Sequence, residues 1–483
     1  MTSNTKSSPY RAYFLPVAVG IISLSMLAGY MSSRRAAAQS DQRVKSQVMV
    51  FNPTETAQPV RYLQRSTTTP STTVNPTDDY RVGMELLERN YYGPTITATK
   101  KRTLTYSAVR GMLLNLHDPF TSFMTPTEWN QFQATTTRGD FEGIGIMLMS
   151  DGPNVVVEEP IKTGPAEKAG VKAGDIISEV NKVPVTGKSI DDVVKLIKGP
   201  AGTSVHLTVV RGKKSLHFVL VRALVRPPIV QYWMEDPNYK IGHIVLDEFN
   251  EQTMTQMNQA FSALHKQGMR ALVLDLRYNP GGLLTMAIRL ASVFVPRNYV
   301  PSLHNNAVII HDGSGAEEGE QLVGNQTAYK RVPLAVLVNG STASASEIVS
   351  GAIHDYGVGT LIGERTFGKG CVQTLYPLDD GSCLRLTTAL YFPPEHYDIN
   401  YKQDENHNRI PGTGGLLPAI IVKQSAKWIP DDFEDKKDDT QLKAALAFLR
   451  DRLQGQPVPA AIAAVTHEFA APKRVALAPA VHK

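Results

Sequence analysis

The sequence predicts a multidomain α/β protein, and three observations lead there. Its 483 residues exceed the usual size of one domain, and 42% hydrophobic with 20% charged residues is a globular balance. Apolar residues recur at helical spacing early in the chain, and later stretches alternate buried-strand runs with glycine turns and helices. The plainest is Ala271-Leu272-Val273-Leu274-Asp275-Leu276-Arg277, running into Tyr278-Asn279-Pro280-Gly281-Gly282 and a helix from about Leu283. The net charge of +5 is spread rather than gathered into a stripe, which argues against nucleic acid as a partner.

In chain order, residues 1–38 come first. Between Lys6 and Arg11 on one side and Arg34-Arg35 on the other, Ala12 to Ser33 is uncharged and largely apolar. Its length is near the roughly 20 residues needed to cross a bilayer, so it reads as a membrane anchor, or as a secretory signal cut after Ala36-Ala37-Ala38. Either way the bulk of the chain is expected to be exported. Residues 39–77 are rich in Ser, Thr, Pro and Gln and read as a disordered linker. Residues 78–138 carry helical periodicity through Leu86-Leu87, Leu104 and Val109 to Leu116, ending at Trp129 and Phe132. At the far end, 431–483, Leu442 to Leu453 is expected to be helical, and the Ala/Pro-rich stretch after Gln454 disordered.

Residues 139–223 contain Phe141-Glu142-Gly143-Ile144-Gly145-Ile146, then Gly164-Pro165-Ala166 through Gly174-Asp175-Ile176-Ile177, then an amphipathic helix from Ser189 to Lys198. This series resembles a PDZ domain. The resemblance implies that the Gly143-Ile144-Gly145 loop holds a peptide carboxylate on main-chain N–H groups, which bind an anion without a competing side chain. A module that only packs against its neighbour is the alternative.

Residues 224–430 hold the candidate chemistry. Val338-Asn339-Gly340-Ser341-Thr342-Ala343-Ser344-Ala345-Ser346-Glu347 offers a hydroxyl, and Phe367-Gly368-Lys369-Gly370-Cys371-Val372-Gln373 offers an amine. A serine hydroxyl is a poor nucleophile until a base takes its proton, and a lysine does so only when neutral. The amine must then fall from about 10.4 toward 7 or 8, a cost of roughly 3 to 4 kcal/mol. Alternation along a strand would place Lys369, Cys371 and Gln373 on one face, where Gln373 can orient the lysine. Ser344-x-x-Glu347 before Ile348 is equally a helix capping box, and the local sequence does not choose among Ser341, Ser344 and Ser346. A helix start also frees main-chain N–H groups, so Ala345 can serve an oxyanion, as can Gly281 or Gly282 in the glycine turn. His354, ten residues along the same helix, would stand about 15 Å from Ser344, too far for a hydrogen bond.

Taken together, these motifs resemble the carboxyl-terminal processing peptidases, or tail-specific proteases, from about Asp78 to Val422. The resemblance selects Ser344 as nucleophile, Lys369 as base and Gln373 in support, with Ala345 and the Gly281-Gly282 turn as oxyanion donors. It implies an αβ protease core of the crotonase/ClpP-like spiral type with a mixed sheet, and a serine endopeptidase acting on proteins recognised by apolar C-terminal tails. It further implies a bacterial cell-envelope location, and for residues 78–138 a cap or dimerisation role in a homo-oligomer. Two departures stand out: the charged segment from Glu395 to Pro411 is longer than usual, and Leu417-Pro418-Ala419-Ile420 has alanine where aspartate is common.

Cys371 and Cys383 are expected to remain free, because a hairpin turning at Asp379-Asp380 sets Cys371 opposite about Thr388 and Cys383 opposite about Tyr376. No zinc spacing or phosphate loop is present, so no metal or other cofactor is expected. Two rivals remain, a catalytically silent PDZ scaffold or adaptor of the envelope and an acyl-CoA hydratase-like enzyme.

Overall fold

The computed structural model describes residues 76–296, 298–322, 332–428 and 436–469. The expected membrane segment within residues 12–33 and nearly all of the linker lie outside these; among the described residues no helix is long and apolar enough to cross a membrane. The described residues form two compact units that divide between Phe123 and Met124.

The smaller unit holds helices α1 (Pro76–Asn90) and α2 (Ala98–Leu114). Asp78 and Asp79 in the first turn of α1 and Arg89 in its last complement the helix dipole. The Thr97 hydroxyl caps α2 by accepting the Lys100 N–H at 3.2 Å. Lys101 pairs with Glu88 at 2.6 Å, and Tyr80 meets Thr105 at 2.7 Å, so the two helices are cross-linked by polar contacts.

A short strand, β1 (Ser122–Met124), leads into the larger unit and α3 (Pro126–Phe132), which Thr125 and Glu128 start with a capping box. A π-helical turn follows and ends at Gly139, whose φ of 64° is left-handed. The middle module is entered by β2 (Phe141–Gly143). It continues through β3 (Ile146–Asp151), β4 (Asn154–Pro160), the short α4 (Pro165–Lys168), β5 (Ile176–Val180), β6 (Val183–Pro184), α5 (Ile190–Ile197), β7 (Ser204–Arg211) and β8 (Lys214–Val221). Its antiparallel sheet runs in the order β3-β4-β5-β7-β8 around a core that includes Val157, Ile177, Val193, Val205 and Leu207. The module's two ends are zipped together where β9 (Ala223–Val225) pairs with β2.

Beyond it lies the αβ core, formed from β10 (Val230–Asp236), β11 (Ile241–Leu246), α6 (Thr253–Lys266), β12 (Ala271–Asp275) and α7 (Leu284–Phe294), with β13 (Asn306–Asp312) and β14 (Glu317–Gln321) next. There follow β15 (Leu334–Val338), α8 (Ala345–Asp355), β16 (Thr360–Gly363), β17 (Cys371–Pro377), β18 (Cys383–Phe392), β19 (Ile420–Ile421), α9 (Thr440–Leu453) and α10 (Val458–Phe469). The main sheet is mixed, as expected, in the order β10-β11-β12-β15-β16-β19, antiparallel only at its β10 edge. Strict alternation divides its side chains between two apolar layers. Leu272, Leu274, Val336 and Val338 pack with α6, α7 and α8; Ala271, Val273, Ala335 and Leu337 pack with α9 and α10. Residues 458–469, read from composition as disordered, are thus helical, and Ala461 and Val465 are buried against the sheet. The Ala content that resembled low complexity is what lets α10 lie close.

Both cysteines are free and buried. Cys371 faces Leu390 and Cys383 faces Pro377, displaced from the expected partners by a one-residue shift of the turn and by a bulge between Val372 and Gln373.

A chain of charges, buried except at Lys436, ties α9 to the end of β12. Lys436 pairs with Glu235 at 2.8 Å, Glu235 with His243 at 3.3 Å, His243 with Asp275 at 3.4 Å, Asp275 with Arg277 at 2.6 Å, and Arg277 with Asp439 at 2.9 Å. Asp439 also caps α9 through the Leu442 N–H. Burial alone would raise the Glu235 pKa, but hydrogen bonds from His243, Lys436 and Trp233 hold it at about 2. Burial opposes a charge on His243 as well, and the Asp275 and Glu235 carboxylates outweigh it and raise its pKa. The signs follow. Glu235 contributes stability above its unfolded pKa of about 4.3 that is lost as pH falls toward its folded value. His243 contributes stability fully present below about 6.5 that is lost as pH rises through its raised folded pKa. We predict that the denaturant midpoint falls as pH rises above about 6.5, and that His243→Gln flattens this slope; equal slopes in the two chains would refute it.

Candidate active site

The site is assembled where β12 and β15 leave the sheet at their C-terminal ends, the usual place for function in an open αβ sheet. Two loops interlock there. The Asn339 side-chain oxygen accepts N–H groups of Tyr278 and Ser341, Thr342 Oγ1 donates to the Leu276 carbonyl at 2.8 Å, and the Ala343 N–H donates to the Asn279 carbonyl at 3.0 Å. Ser344 emerges from this lattice with φ 56° and ψ −119°, a conformation strained for a residue with a side chain, and α8 begins at the next residue.

Among the three serines, Ser346 is fully buried and donates its hydroxyl to the Asn279 carbonyl at 3.1 Å, Ser341 is exposed on the loop, and Ser344 is half-buried at the helix start. His354 pairs with Asp355 at 2.8 Å near the other end of α8.

The glycine turn packs directly on this helix start. A Cβ added to Gly281 would lie 2.7 Å from Ser344 Cβ and 2.8 Å from Ala345 N; one added to Gly282 would lie 2.0 Å from the Phe249 carbonyl oxygen. With φ of 98° and 140°, neither position suits a side chain. Sequence reasoning gave the two glycines the same candidate role. The Gly281 N–H donates to the Asn279 side-chain oxygen at 2.9 Å, so that donor is already engaged.

Lys369 is half-buried in an irregular segment, 365–370, between β16 and β17, rather than within the strand itself. What joins it to Ser344 is Glu347. This carboxylate is fully buried: Oε1 accepts from Thr366 Oγ1 and the Gly368 N–H, both at 2.6 Å, and Oε2 accepts from the N–H groups of Ser344 and Lys369, both at 2.9 Å. The main-chain nitrogens of nucleophile and base candidates are each one hydrogen bond from the same oxygen. Tyr391 makes a second bridge, donating its hydroxyl to the Ser344 carbonyl at 3.1 Å and its N–H to the Gly370 carbonyl at 2.9 Å. Burial, followed by the neighbouring Glu347 charge, pushes the Tyr391 pKa well above its ordinary value, so this hydroxyl stays a donor.

Gln373 lies on β17 past the bulge, and its amide nitrogen donates to Cys371 Sγ at 3.2 Å and reaches Thr387 Oγ1 at 3.5 Å. The simple alternation expected from Lys369 to Gln373 is therefore broken at Val372. In the middle module, Ile144 is a core residue, and its carbonyl accepts the Ala166 N–H at 2.9 Å. Gly143 closes β2, Gly145 has φ 71°, and the loop leads into β3, an outer strand of its sheet.

Sequence reasoning saw Glu347 only as a helix cap and missed Asn279, Thr366 and Tyr391. The signal for Glu347 was its place among apolar residues, since a carboxylate is rarely buried without several donors.

Burial pushes the Glu347 pKa up, against hydrogen bonds from Thr366, Lys369, Gly368 and Ser344. All four partners are donors, so a carboxyl proton would displace one of them, and the geometry favours the carboxylate. In Glu347→Gln, an NH2 group would face two N–H or O–H donors. Two orphaned donors at about 1–3 kcal/mol each give a predicted loss of roughly 2–6 kcal/mol in denaturant unfolding. A loss under about 0.5 kcal/mol would mean that a neutral group fits, contrary to the reading.

Comparison with known proteins agrees with this architecture. Residues 240–407 match the model for peptidase family S41, and residues 156–211 that for a PDZ domain. The chain is 34% identical over 388 residues to a carboxy-terminal-processing protease of Bartonella bacilliformis, covering 74% of this chain and 85% of that protein. It is 35% identical over 355 residues to a probable CtpA-like serine protease of Staphylococcus epidermidis, covering 72% of this chain and 66%, just under two thirds, of that protein. Among solved structures, the photosystem II D1 C-terminal processing protease is 32% identical, covers 71% of this chain and 86% of its own, and superposes with a TM-score of 0.41. The chain belongs to the carboxy-terminal-processing proteases, PDZ-containing serine peptidases of family S41.

Proposed function

We propose that this chain is an exported endopeptidase that cleaves proteins presented by their C-terminal tails, using Ser344 and Lys369 as a dyad. The observation that carries the reading is the single Glu347 oxygen shared by the Ser344 and Lys369 N–H groups.

Neutral Lys369 accepts the Ser344 Oγ proton as the oxygen attacks the scissile carbonyl carbon. The resulting oxyanion is held by main-chain N–H groups, Ala345 at the start of α8 and Gly282 in the glycine turn, since Gly281 is engaged with Asn279. Collapse breaks the C–N bond, and the lysine ammonium returns its proton to the leaving amine. Water, deprotonated by the same amine, then attacks the acyl ester and releases Ser344. Gln373 supports the lysine from β17, where its own amide is held by Cys371 and Thr387.

The PDZ module supplies the tail site. An incoming peptide adds as a further strand along β3, its carboxylate on the Gly143-Ile144-Gly145 main chain and its apolar side chains toward the groove between β3 and α5. The apolar segment before Arg34 suits export to a bacterial cell envelope, by anchor or cleaved signal.

The test is cleavage of an unfolded protein bearing an apolar C-terminal tail, with Ser344→Ala and Lys369→Ala as comparisons. Each variant is expected to lose roughly 10³-fold or more in kcat. Wild-type cleavage by either would overturn the dyad. Tail binding without any cleavage by the parent chain would instead indicate a silent scaffold.

A further inference from the structure

The charged segment that departs from the usual pattern has a place in the structure that the dyad does not explain. Residues 398–416 form a strap closed at its base by the Gly415 N–H donating to the Ile399 carbonyl at 2.7 Å. Within it, the stretch from Tyr401 to Ile410 folds back on itself. The Ile410 N–H donates to the Lys402 carbonyl at 2.8 Å, Gln403 bridges Arg409, and Asp404 closes the tip by accepting N–H groups of Asn406 and Asn408.

The strap grips the lysine-bearing segment residue by residue. The Arg365 guanidinium donates to the Gly414 carbonyl at 2.9 Å and the Thr366 N–H to the Leu416 carbonyl at 3.1 Å. The Tyr401 N–H donates to the Gly368 carbonyl at 3.0 Å, and the Gly370 N–H donates to the Asn400 side-chain oxygen at 2.9 Å. The approach is so close that a Cβ on Gly368 would lie 2.7 Å from Gly415 N and 2.8 Å from the Ile399 oxygen. Arg409 fastens the outer edge. Its guanidinium donates to the Phe367 carbonyl at 2.5 Å and lies 4.5 Å from the Phe367 ring centroid and 5.2 Å from that of Tyr401, the two rings meeting edge-on at 5.7 Å.

We propose that Arg409 is a positioning residue for Lys369: by clasping Phe367 and Tyr401 together it locks the strap onto the base-bearing segment from outside, while Glu347 holds the same segment from inside. The proposal rests on Lys369 acting as the base. Arg409 is exposed, so its removal opens no cavity, and the consequence is looser placement of the amine rather than loss of the fold.

Arg409→Ala is expected to lower kcat at least about tenfold with KM within twofold, and to speed amide exchange at Gly368, Lys369 and Gly370 at least about tenfold while β15 and α8 keep wild-type protection. Arg409→Lys keeps a cation over the rings but lacks the planar fork, and is expected to restore part of both readouts. Should Arg409→Ala lower the unfolding midpoint, Tyr401→Leu, which removes one ring of the clasp, is read the same way. Unchanged kcat and exchange in Arg409→Ala would overturn the proposal, as would a raised KM with unchanged kcat, which would make Arg409 a substrate contact. If Lys369→Ala still cleaves, the base assignment falls and the positioning role with it. If Lys369→Ala is inactive and Arg409→Ala behaves as wild type, only the clasp falls.

Discussion

The Glu347 carboxylate is the constraint on which the site depends. Ser344 comes from the loop after β15 and Lys369 from the irregular segment after β16, strands that neighbour each other in the sheet. A side chain alone would fix neither. By accepting N–H groups from Ser344, Gly368 and Lys369 together with the Thr366 hydroxyl, one buried anion sets the spacing of both main chains. Helix α8 places it there, because position N3 of a helix begun at Ser344 points back over the cap. The capping box that starts α8 and the carboxylate that ties Ser344 to Lys369 are one structure.

Close main-chain approach is the second theme, and it accounts for the glycines. Gly281 admits the start of α8, Gly282 admits the Phe249 carbonyl, and Gly368 admits the strap. In the structure, Gly368 and Gly370 are glycine because the Ile399–Gly415 base and Asn400 occupy the space a side chain would need.

Much of this was legible in the sequence. Helical periodicity gave α5, and the apolar run with its glycine turn gave β12 and α7, since local pattern and tertiary burial agree there. Four kinds of feature were not legible. A bulge shifts the β17–β18 register by one residue without changing composition, so Gln373 could not be placed by counting. Contacts between residues far apart in sequence, such as Arg277 with Asp439, leave no local periodicity. Composition misled at 458–469, where an Ala-rich helix buried on one side looks like low complexity. Ser344 could not be chosen over Ser341 or Ser346 from local sequence either; their different burial and partners separate them only in the fold.

The central claim is that one carboxylate holds the main chains of both dyad candidates, Ser344 and Lys369, and its own titration is the most direct test. Burial raises the Glu347 pKa against four donors that favour its charge, so an acid titration followed to the limit of the folded state reads its protonation. Residue-resolved NMR of the amide protons of Ser344, Gly368 and Lys369 across that range is predicted to show all three shifting with one common midpoint. Independent midpoints, or no movement at Lys369 while Ser344 shifts, would contradict the account.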